Sequence, residues 1–292
     1  MLALSLAVVL CADLDSGGKT IAMAFSNDET MLAAGGDKGN VQLWSVAKGE
    51  RKQNLALEKE SVMAVAFSPD GKLLVAGDLA GHLEVFRTSD GETVSNQKLS
   101  DNVDRLVFSP DGKLLALTCG LKCSAIYSTK DWKLVTKIEG TPVAWSGDGH
   151  KVMTYTEGAI AWFDRDGKKL KELATKGRPY VVSAVSADAR RVVARSGTEN
   201  DVQIWDLGGK EGKAVGTLKG HTRGIVSLTL SRDGTRASSG SEDRAVKVWS
   251  ISAQKELESF ANEHATSFCT MSPSGHLIAS TDESVIHLWK AK

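Results

Sequence analysis

The sequence is poor in the residue types that define several classes of protein. Four cysteines in 292 residues are too few for a disulfide framework, and their spacings match no zinc-binding pattern. The 36 basic residues only balance the 36 acidic ones, whereas binding to a phosphate backbone usually needs a basic excess. Three Tyr and seven Phe leave few aromatic side chains on which bases stack. We therefore expect no nucleic-acid partner, no metal and no other cofactor.

Long hydrophobic runs are missing except at the N-terminus. Residues 1–10 form an apolar run that is too short to span a bilayer as a helix but as long as the core of a signal peptide. No Lys or Arg precedes it, and Val9-Leu10 before Cys11 lacks the small residue expected before a lipid-modified cysteine. A cytoplasmic location without a membrane span is favoured, and a secreted or periplasmic one stays open.

Two of the cysteines fall close together in the chain. Cys119 and Cys123 flank residues 120–122, a predicted hairpin turn, so their side chains can face each other across two strands. A disulfide and a pair of reduced thiols are both open. Reduced thiols are favoured, because free cysteine often packs as a small hydrophobe.

Helical periodicity is also missing. No ten-residue amphipathic stretch occurs, and apolar residues instead recur with a period of two, as in residues 82–86. The chain is therefore predicted to be all-β. A short turn motif separates the predicted strands at seven places: FSND from Phe25, FSPDG from Phe67, FSPDG from Phe108, WSGDG from Trp145, VSADA from Val185, LSRDG from Leu230 and MSPSG from Met271.

A second marker keeps the same spacing. An aromatic residue ends the third strand of each copy, at Trp44, Phe86, Tyr127, Phe163, Trp205, Trp249 and Trp289. In the fourth copy we choose Phe163 over Trp162, because Gly158 precedes it by five residues as Gly39 precedes Trp44. Both markers recur every 36 to 45 residues, and their agreement predicts seven structural repeats.

Repeats of about 40 residues with four short strands are the size of β-propeller blades, whose stacked faces must close into a ring. The predicted architecture is a seven-bladed β-propeller of four-stranded antiparallel blades, a single domain over residues 1–292. The seventh copy ends after its third strand, so residues 7–14 are expected to close the ring as the outer strand of the last blade. The first strands are predicted near residues 20–25, 62–67, 103–108, 141–145, 181–185, 225–230 and 266–271.

With these features the chain resembles the WD-repeat family over essentially its whole length. The motifs are Gly220-His221, the seven turns, Asp243 six residues before Trp249, and Trp205-Asp206. The resemblance implies a hydrogen-bonded chain in the sixth blade, from His221 through Ser239 to Asp243 and on to Trp249. Such a network stabilises a blade only when every polar group in it has a partner.

The other copies depart from this pattern. The position of Asp243 is taken by Lys38, Ala80, Leu121, Glu199 and Glu283 in the first, second, third, fifth and seventh copies. His264 lies eight residues before Ser272, whereas His221 lies ten before Ser231, so the seventh loop is expected to be shifted. For His221 and Asp243 a structural lock is favoured over catalysis or metal binding, because Ser239 would be buried and committed to the network.

The leading functional prediction is a non-enzymatic scaffold that binds a protein or peptide. Its binding surface is expected on the loops that enter the first strands and at the mouth of the central channel. The candidate contact residues are Arg178, Tyr180, Arg223, Asp104, His264 and Lys59. The apolar N-terminus keeps a secreted or lipid-anchored binding propeller open. A propeller hydrolase or lactonase-like enzyme is the other alternative, which the largely apolar first strands disfavour; we expect a monomer without catalytic residues.

Overall fold

In the computed structural model the chain is described over residues 9–57, 60–118, 120, 123–156, 159–174, 183–186, 188–195, 200–208 and 212–292. Across these ranges it contains 28 β-strands and no α-helix. Accordingly, none of the described segments is a helix long and apolar enough to cross a membrane. Cys119 lies outside these ranges, so the reduced state favoured for Cys119 and Cys123 stays a prediction.

The strands form seven antiparallel sheets of four strands each. Strand β1 (Val9–Asp15) comes first, followed by blade 1 with β2 (Thr20–Phe25), β3 (Met31–Gly36), β4 (Asn40–Ser45) and β5 (Glu50–Ala56). Blade 2 contains β6 (Val62–Phe67), β7 (Leu73–Asp78), β8 (His82–Arg87) and β9 (Thr93–Lys98). Blade 3 contains β10 (Leu106–Phe108), β11 (Leu114–Thr118), β12 (Cys123–Ser128) and β13 (Leu134–Glu139).

The remaining blades follow the same plan. Blade 4 contains β14 (Thr141–Trp145), β15 (Lys151–Thr156), β16 (Ala159–Asp164) and β17 (Lys169–Ala174). Blade 5 contains β18 (Ser183–Val185), β19 (Arg191–Arg195), β20 (Val202–Asp206) and β21 (Lys213–Leu218). Blade 6 contains β22 (Ile225–Leu230), β23 (Arg236–Ser241), β24 (Ala245–Ser250) and β25 (Lys255–Ala261). Blade 7 contains β26 (Phe268–Met271), β27 (Leu277–Asp282), β28 (Val285–Lys290) and β1.

The first strand of each blade lies innermost, and these inner strands close a ring. Each contacts the next in the order β2, β6, β10, β14, β18, β22 and β26, and β26 contacts β2 again. The seven-bladed propeller is thereby confirmed. Two inner strands begin later than predicted, β10 at Leu106 and β26 at Phe268.

The strand register supports the choice of Phe163 as the aromatic marker of blade 4. Phe163 pairs with Val152, just as Trp249 pairs with Ala237 in blade 6. In both blades a bulge in the pairing with the outer strand falls directly before this aromatic residue. Trp162 therefore lies one position off the marker, on the opposite face of its strand.

The closing strand is also confirmed. Strand β1 pairs antiparallel with β28, from Val9 opposite Lys290 to Asp15 opposite Val285. Leu14 is only 2% exposed and packs in a cluster with Ile286. The Asp13 carboxylate lies 2.7 Å from His287 Nδ1, so polar as well as apolar contacts join the two ends of the chain.

A second contact joins blades 7 and 1 at the turns between their first two strands. In blade 7 the turn motif has Ser274 where the others have Asp. Ser274 is hydrogen-bonded to the carboxylate of Glu29 in the neighbouring blade. Its backbone N–H donates to Glu29 Oε1 (2.6 Å) and its hydroxyl to Glu29 Oε2 (2.9 Å). Glu29 occupies the left-handed turn position with φ 60°, where Gly71 stands in blade 2 with φ 70°, a conformation that favours glycine.

The core lies between the blades. Val41 and Leu43 of blade 1, for example, pack with Val62 and Leu74 of blade 2, and all four are fully buried. Burying an aliphatic side chain of this size contributes about 1.5–3 kcal/mol. Because each blade hides its faces only against its neighbours, the loops at the rims are held by a continuous stacked support.

Candidate functional site

The four residues of the predicted network lie together in blade 6. His221 is in the loop before β22, Ser239 in β23, Asp243 in the turn after it, and Trp249 in β24. Trp249 Nε1 lies 2.8 Å from Ser239 Oγ, which is 2.7 Å from His221 Nε2. His221 Nδ1 lies 2.9 Å from Asp243 Oδ2. The structure thus connects all four in one chain of hydrogen bonds.

The order of this chain differs from the expected one. The Trp249 N–H can only donate, so Ser239 Oγ accepts that hydrogen bond. The Ser239 hydroxyl in turn donates a hydrogen bond to His221 Nε2. Asp243 stands at the far end, because its oxygens are taken by His221 and by the backbone N–H groups of Thr222 and Ala245. The serine hydroxyl, which both donates and accepts, therefore lies in the middle.

This order requires a neutral histidine and an ionised aspartate. Burial lowers the pKa of His221, although its bond to Asp243 opposes the shift. Burial alone would raise the pKa of Asp243, but hydrogen bonds from Thr222, His221 and Ala245 outweigh it and lower that pKa. Each donor and acceptor of the network then has a partner, the condition under which buried polar groups stabilise.

A serine, a histidine and an aspartate in series also form the nucleophilic arrangement of many hydrolases. Here Ser239 is completely buried, and its oxygen already accepts the Trp249 N–H. A nucleophile must reach a substrate carbonyl, which a sealed hydroxyl inside a blade cannot do. The arrangement therefore favours a structural lock over an active site.

Blade 7 keeps a variant of this lock that was missed in the sequence. Asn262, and not His264, lies ten residues before Ser272, at the position of His221. Trp289 Nε1 donates to Ser280 Oγ (2.9 Å), and the Ser280 hydroxyl donates to Asn262 Oδ1 (3.2 Å). The second residue of each of the seven turn motifs is a serine, which we call the turn serine. Counting ten residues back from it, instead of looking for histidine, identifies Asn262.

In two blades a buried carboxylate lies at the end of the second strand and not in the turn that follows it. Asp282, the last residue of β27, accepts the His264 backbone N–H (2.9 Å), as Asp243 accepts that of Thr222 in blade 6. Asp78 ends β7 in the same way and lies 2.7 Å from His82 Nδ1. Glu283 and Ala80 at the expected Asp position therefore do not mean that these blades lack a buried carboxylate.

Blade 1 has the tryptophan of the lock but not its serine. Ala34 stands where blade 6 has Ser239, since it lies two residues after Leu32, the partner of Trp44. Trp44 Nε1 is buried, and among the described residues it has no hydrogen-bond partner. A cavity of about 260 Å³ remains beside Ala34, lined also by Ser16 and Gln42.

Restoring the hydroxyl should stabilise blade 1. In an Ala34→Ser variant the new oxygen can accept the Trp44 N–H, as Ser239 does for Trp249, and the cavity gives it room. A buried donor that gains a partner contributes about 1 kcal/mol. We expect the thermal midpoint to rise by about 2 °C, measured by calorimetry.

The neighbouring alanine provides the control. Ala33 is also buried but belongs to the apolar cluster between blades 1 and 2. A hydroxyl placed there by Ala33→Ser has no polar neighbour in that cluster and should cost about 1–3 kcal/mol. If both variants shift the midpoint in the same direction, the missing acceptor is not what limits blade 1.

The candidate contact residues that the structure describes lie in the loops that enter the inner strands. Arg223 is exposed two residues after His221, and His264 is exposed in the corresponding loop of blade 7. Asp104 is exposed just before β10 and lines the central cavity. Lys59, Arg178 and Tyr180 lie outside the described residues and stay sequence predictions.

The central channel holds a cavity of about 380 Å³ between inner strands of five blades. Its walls are largely apolar, with Met63, Val65, Leu228 and Phe268 among them. Arg105 also lines the cavity. It is not among the sequence-predicted contact residues, because the apolar Leu106-Val107 beside it indicated an apolar inner strand. Reading one residue further toward the N-terminus of each inner strand would have found this charge.

Two observations concern metal and thiol chemistry. Within the described segments, no cluster of three or more His, Cys, Asp or Glu side chains could hold a metal ion. Burial raises the pKa of the Cys269 thiol to about 11, although Ser227 and Ser238 hydrogen-bond to it. Cys269 is therefore a protonated thiol in the wall of the channel and not a ready nucleophile.

Comparison with known proteins agrees with this geometry. The family model described as "WD domain, G-beta repeat" matches residues 10–45, 50–87 and 212–250. The transcription factor unc-37 of Caenorhabditis elegans is 35% identical over 89 residues, 30% of this chain and 14% of that protein.

Two further relatives are similar to parts of this chain. The ribosome biogenesis protein WDR12 homolog of Drosophila yakuba is 25% identical over 140 residues, 46% of this chain and 29% of its own length. The U3 small nucleolar RNA-associated protein 15 homolog of Homo sapiens is 35% identical over 85 residues, 29% of this chain and 15% of its own. The aligned region thus spans less than a third of each of these relatives.

Proposed function

We propose that this chain, a member of the WD-repeat family, is a non-enzymatic scaffold that binds a protein or peptide partner. The binding surface is the rim of loops entering the inner strands, together with the channel mouth. We call the exposed residues Asp104, Arg223 and His264 the loop rim.

The observation that carries the proposal is the way these loops are held. The backbone N–H of Thr222, next to Arg223, donates to Asp243, whose side chain is 8% exposed, and the backbone N–H of His264 donates to the buried Asp282. Exposed side chains are thus presented on a backbone that is already fixed. A surface ordered before binding loses less conformational entropy when a partner docks.

The charges of the loop rim fit a folded or peptide partner better than nucleic acid. Asp104 is acidic, while Arg223 is basic. Mixed signs favour selectivity between protein surfaces, whereas nucleic acid requires a basic excess. The relatives are named a transcription factor, a ribosome biogenesis protein and a U3 small nucleolar RNA-associated protein. We propose by analogy a role inside a larger intracellular assembly.

Affinity capture with two charge-altered variants tests this proposal. The rim variant combines Asp104→Lys, Arg223→Glu and His264→Glu. The control variant combines Lys72→Glu and Arg232→Glu, whose side chains are exposed in turns on the opposite face. Quantitative mass spectrometry should show partners of the wild-type protein reduced at least about tenfold by the rim variant, as expected for several interface hot spots, and retained by the control.

The opposite result would contradict the proposal. If the control variant loses the partners and the rim variant keeps them, the binding face has been misplaced. A separate Arg178→Ala/Tyr180→Ala variant tests the two sequence-predicted contacts that lie outside the described residues. Circular dichroism of all variants ensures that a lost partner does not reflect a lost fold.

A further inference from the structure

We propose that the central channel is a binding site for a single carboxylate on an aliphatic stem, held by Arg105. The inference deepens the proposed function by naming the chemistry that the channel mouth accepts. It depends on Arg105 and on the walls of the cavity, to which only Asp104 of the loop rim contributes.

Arg105 stands where other blades carry small or apolar side chains. Counting back four residues from each turn serine gives Ala22, Ala64, Ser227 and Phe268 at the corresponding positions, all of which line the same cavity. Only blade 3 places a guanidinium there among the residues that line this cavity. The other charged residue of this wall, Asp104, is exposed, so Arg105 is the charged group set among the largely apolar residues of the cavity, a common form of a ligand-orienting residue.

The guanidinium of Arg105 has donors to offer. It carries five N–H groups, yet within the described ranges no hydrogen bond from its side chain and no carboxylate within 4.0 Å is found. Burial lowers the pKa of Arg105, and the nearby Asp104 and Tyr155 only partly oppose this shift. A partly buried cation without a side-chain partner favours an anion that brings two acceptor oxygens, which a carboxylate does.

The rest of the cavity defines the stem of the ligand. Apolar surface in the same cavity comes from Met63, Val65, Leu228 and Phe268. The hydroxyls of Ser227 and Thr229, which also line it, are already bonded to Cys269 and Ser238. Apolar walls exclude strongly hydrated polyanions but pack well against methylene groups. A volume of about 380 Å³ accommodates one or two side chains. The acidic side chain of a partner and a free fatty carboxylate share this chemistry.

Methyl NMR on the intact protein can detect such a ligand. With methionine methyl labelling, Met23 and Met63 report on the channel, and the buried Met153 of blade 4 serves as an internal reference away from it. Hexanoate should shift the two channel methyls, and its neutral counterpart hexanamide should not. Arg105→Gln should weaken hexanoate binding at least about tenfold, the effect of losing one charge-assisted pair. Arg232→Gln, at the other mouth of the channel, should leave it unchanged.

The source of the carboxylate is decided by a peptide pair. Tighter binding of acetyl-Leu-Glu-Leu-amide than of acetyl-Leu-Gln-Leu-amide, lost in Arg105→Gln, assigns the site to a partner's acidic side chain; binding of hexanoate alone assigns it to a small molecule. Equal shifts from hexanoate and hexanamide with the wild-type protein would overturn the carboxylate site even if the variant failed to fold. If hexanoate and hexanamide shift the methyls equally while the rim variant loses its partners, the channel site is overturned and the scaffold proposal still stands.

Discussion

Replacing Ser239 by alanine should destabilise the protein by about 2–4 kcal/mol, one of the two largest effects we expect. The substitution removes one oxygen but leaves two buried groups without partners, the Trp249 N–H and His221 Nε2. Each orphaned buried group costs about 1–3 kcal/mol. The change in volume is small, so the loss reports on hydrogen bonding and hardly on packing.

Calorimetry and urea unfolding measure this effect. A thermal midpoint about 5–10 °C below that of the wild-type protein is expected for a domain of this size. Ser252→Ala, an exposed serine in the turn between β24 and β25, is the control and should stay within about 0.5 kcal/mol. A double-mutant cycle with His221→Ala should give a coupling of at least about 1 kcal/mol, because the two residues share one network. A Ser239→Ala protein as stable as wild type would mean that the network does not stabilise blade 6.

Loss of the closing strand is the second large effect. Deleting residues 1–14 removes most of β1, its ladder with β28 and the packing of Leu14 against Ile286. Leu14→Ala alone should cost about 2–5 kcal/mol, since the side chain is buried and leaves a cavity. The deletion should cost at least as much and should broaden the transition, because the edge of β28 is then open.

An exposed leucine at a comparable place provides the matched control. Leu134 lies in β13, the outer strand of blade 3, and is 47% exposed. Leu134→Ala should change the free energy of unfolding by less than about 0.5 kcal/mol. An unchanged midpoint after deletion of residues 1–14 would show that the ring is held together without β1.

The fold could be predicted because it rests on features repeated along the chain. The turn serine and the closing aromatic are each found in every copy, so a doubtful copy, such as the one with Trp162 and Phe163, was decided by spacing. The missing fourth strand of the last blade likewise followed from the count. Repetition makes a weak local signal strong, because each blade must present the same faces to its neighbours.

The details of the site could be predicted less well, because they depend on turn length. In blade 6 three residues connect Ser241 to Ala245, whereas in blade 7 two residues connect Asp282 to Val285. The shorter turn brings the last strand residue to the place where the turn carboxylate of blade 6 lies. A fixed distance from the tryptophan therefore pointed to Glu283 and passed over Asp282, which bonds His264.

Arg105 was missed for a different reason. Alternation of apolar residues defines a strand but does not show which side chains face the axis of a closed ring. That direction follows only once the inner strands are placed around the channel, where Arg105, Met63 and Phe268 line one cavity. The single charge of Arg105 beside apolar residues is visible in the sequence. That it lines the central channel is visible only in the closed ring.

The pairing of β1 with β28 also sets the timing of folding during synthesis. The two strands are separated by about 270 residues, so at about 5–20 residues per second β1 waits roughly 15–50 seconds for its partner. Throughout this interval an apolar strand is ready to pair with any open edge, including that of a neighbouring nascent chain. Slow synthesis at high concentration therefore favours exchange of β1 between two molecules, each ring closed by the other's first strand.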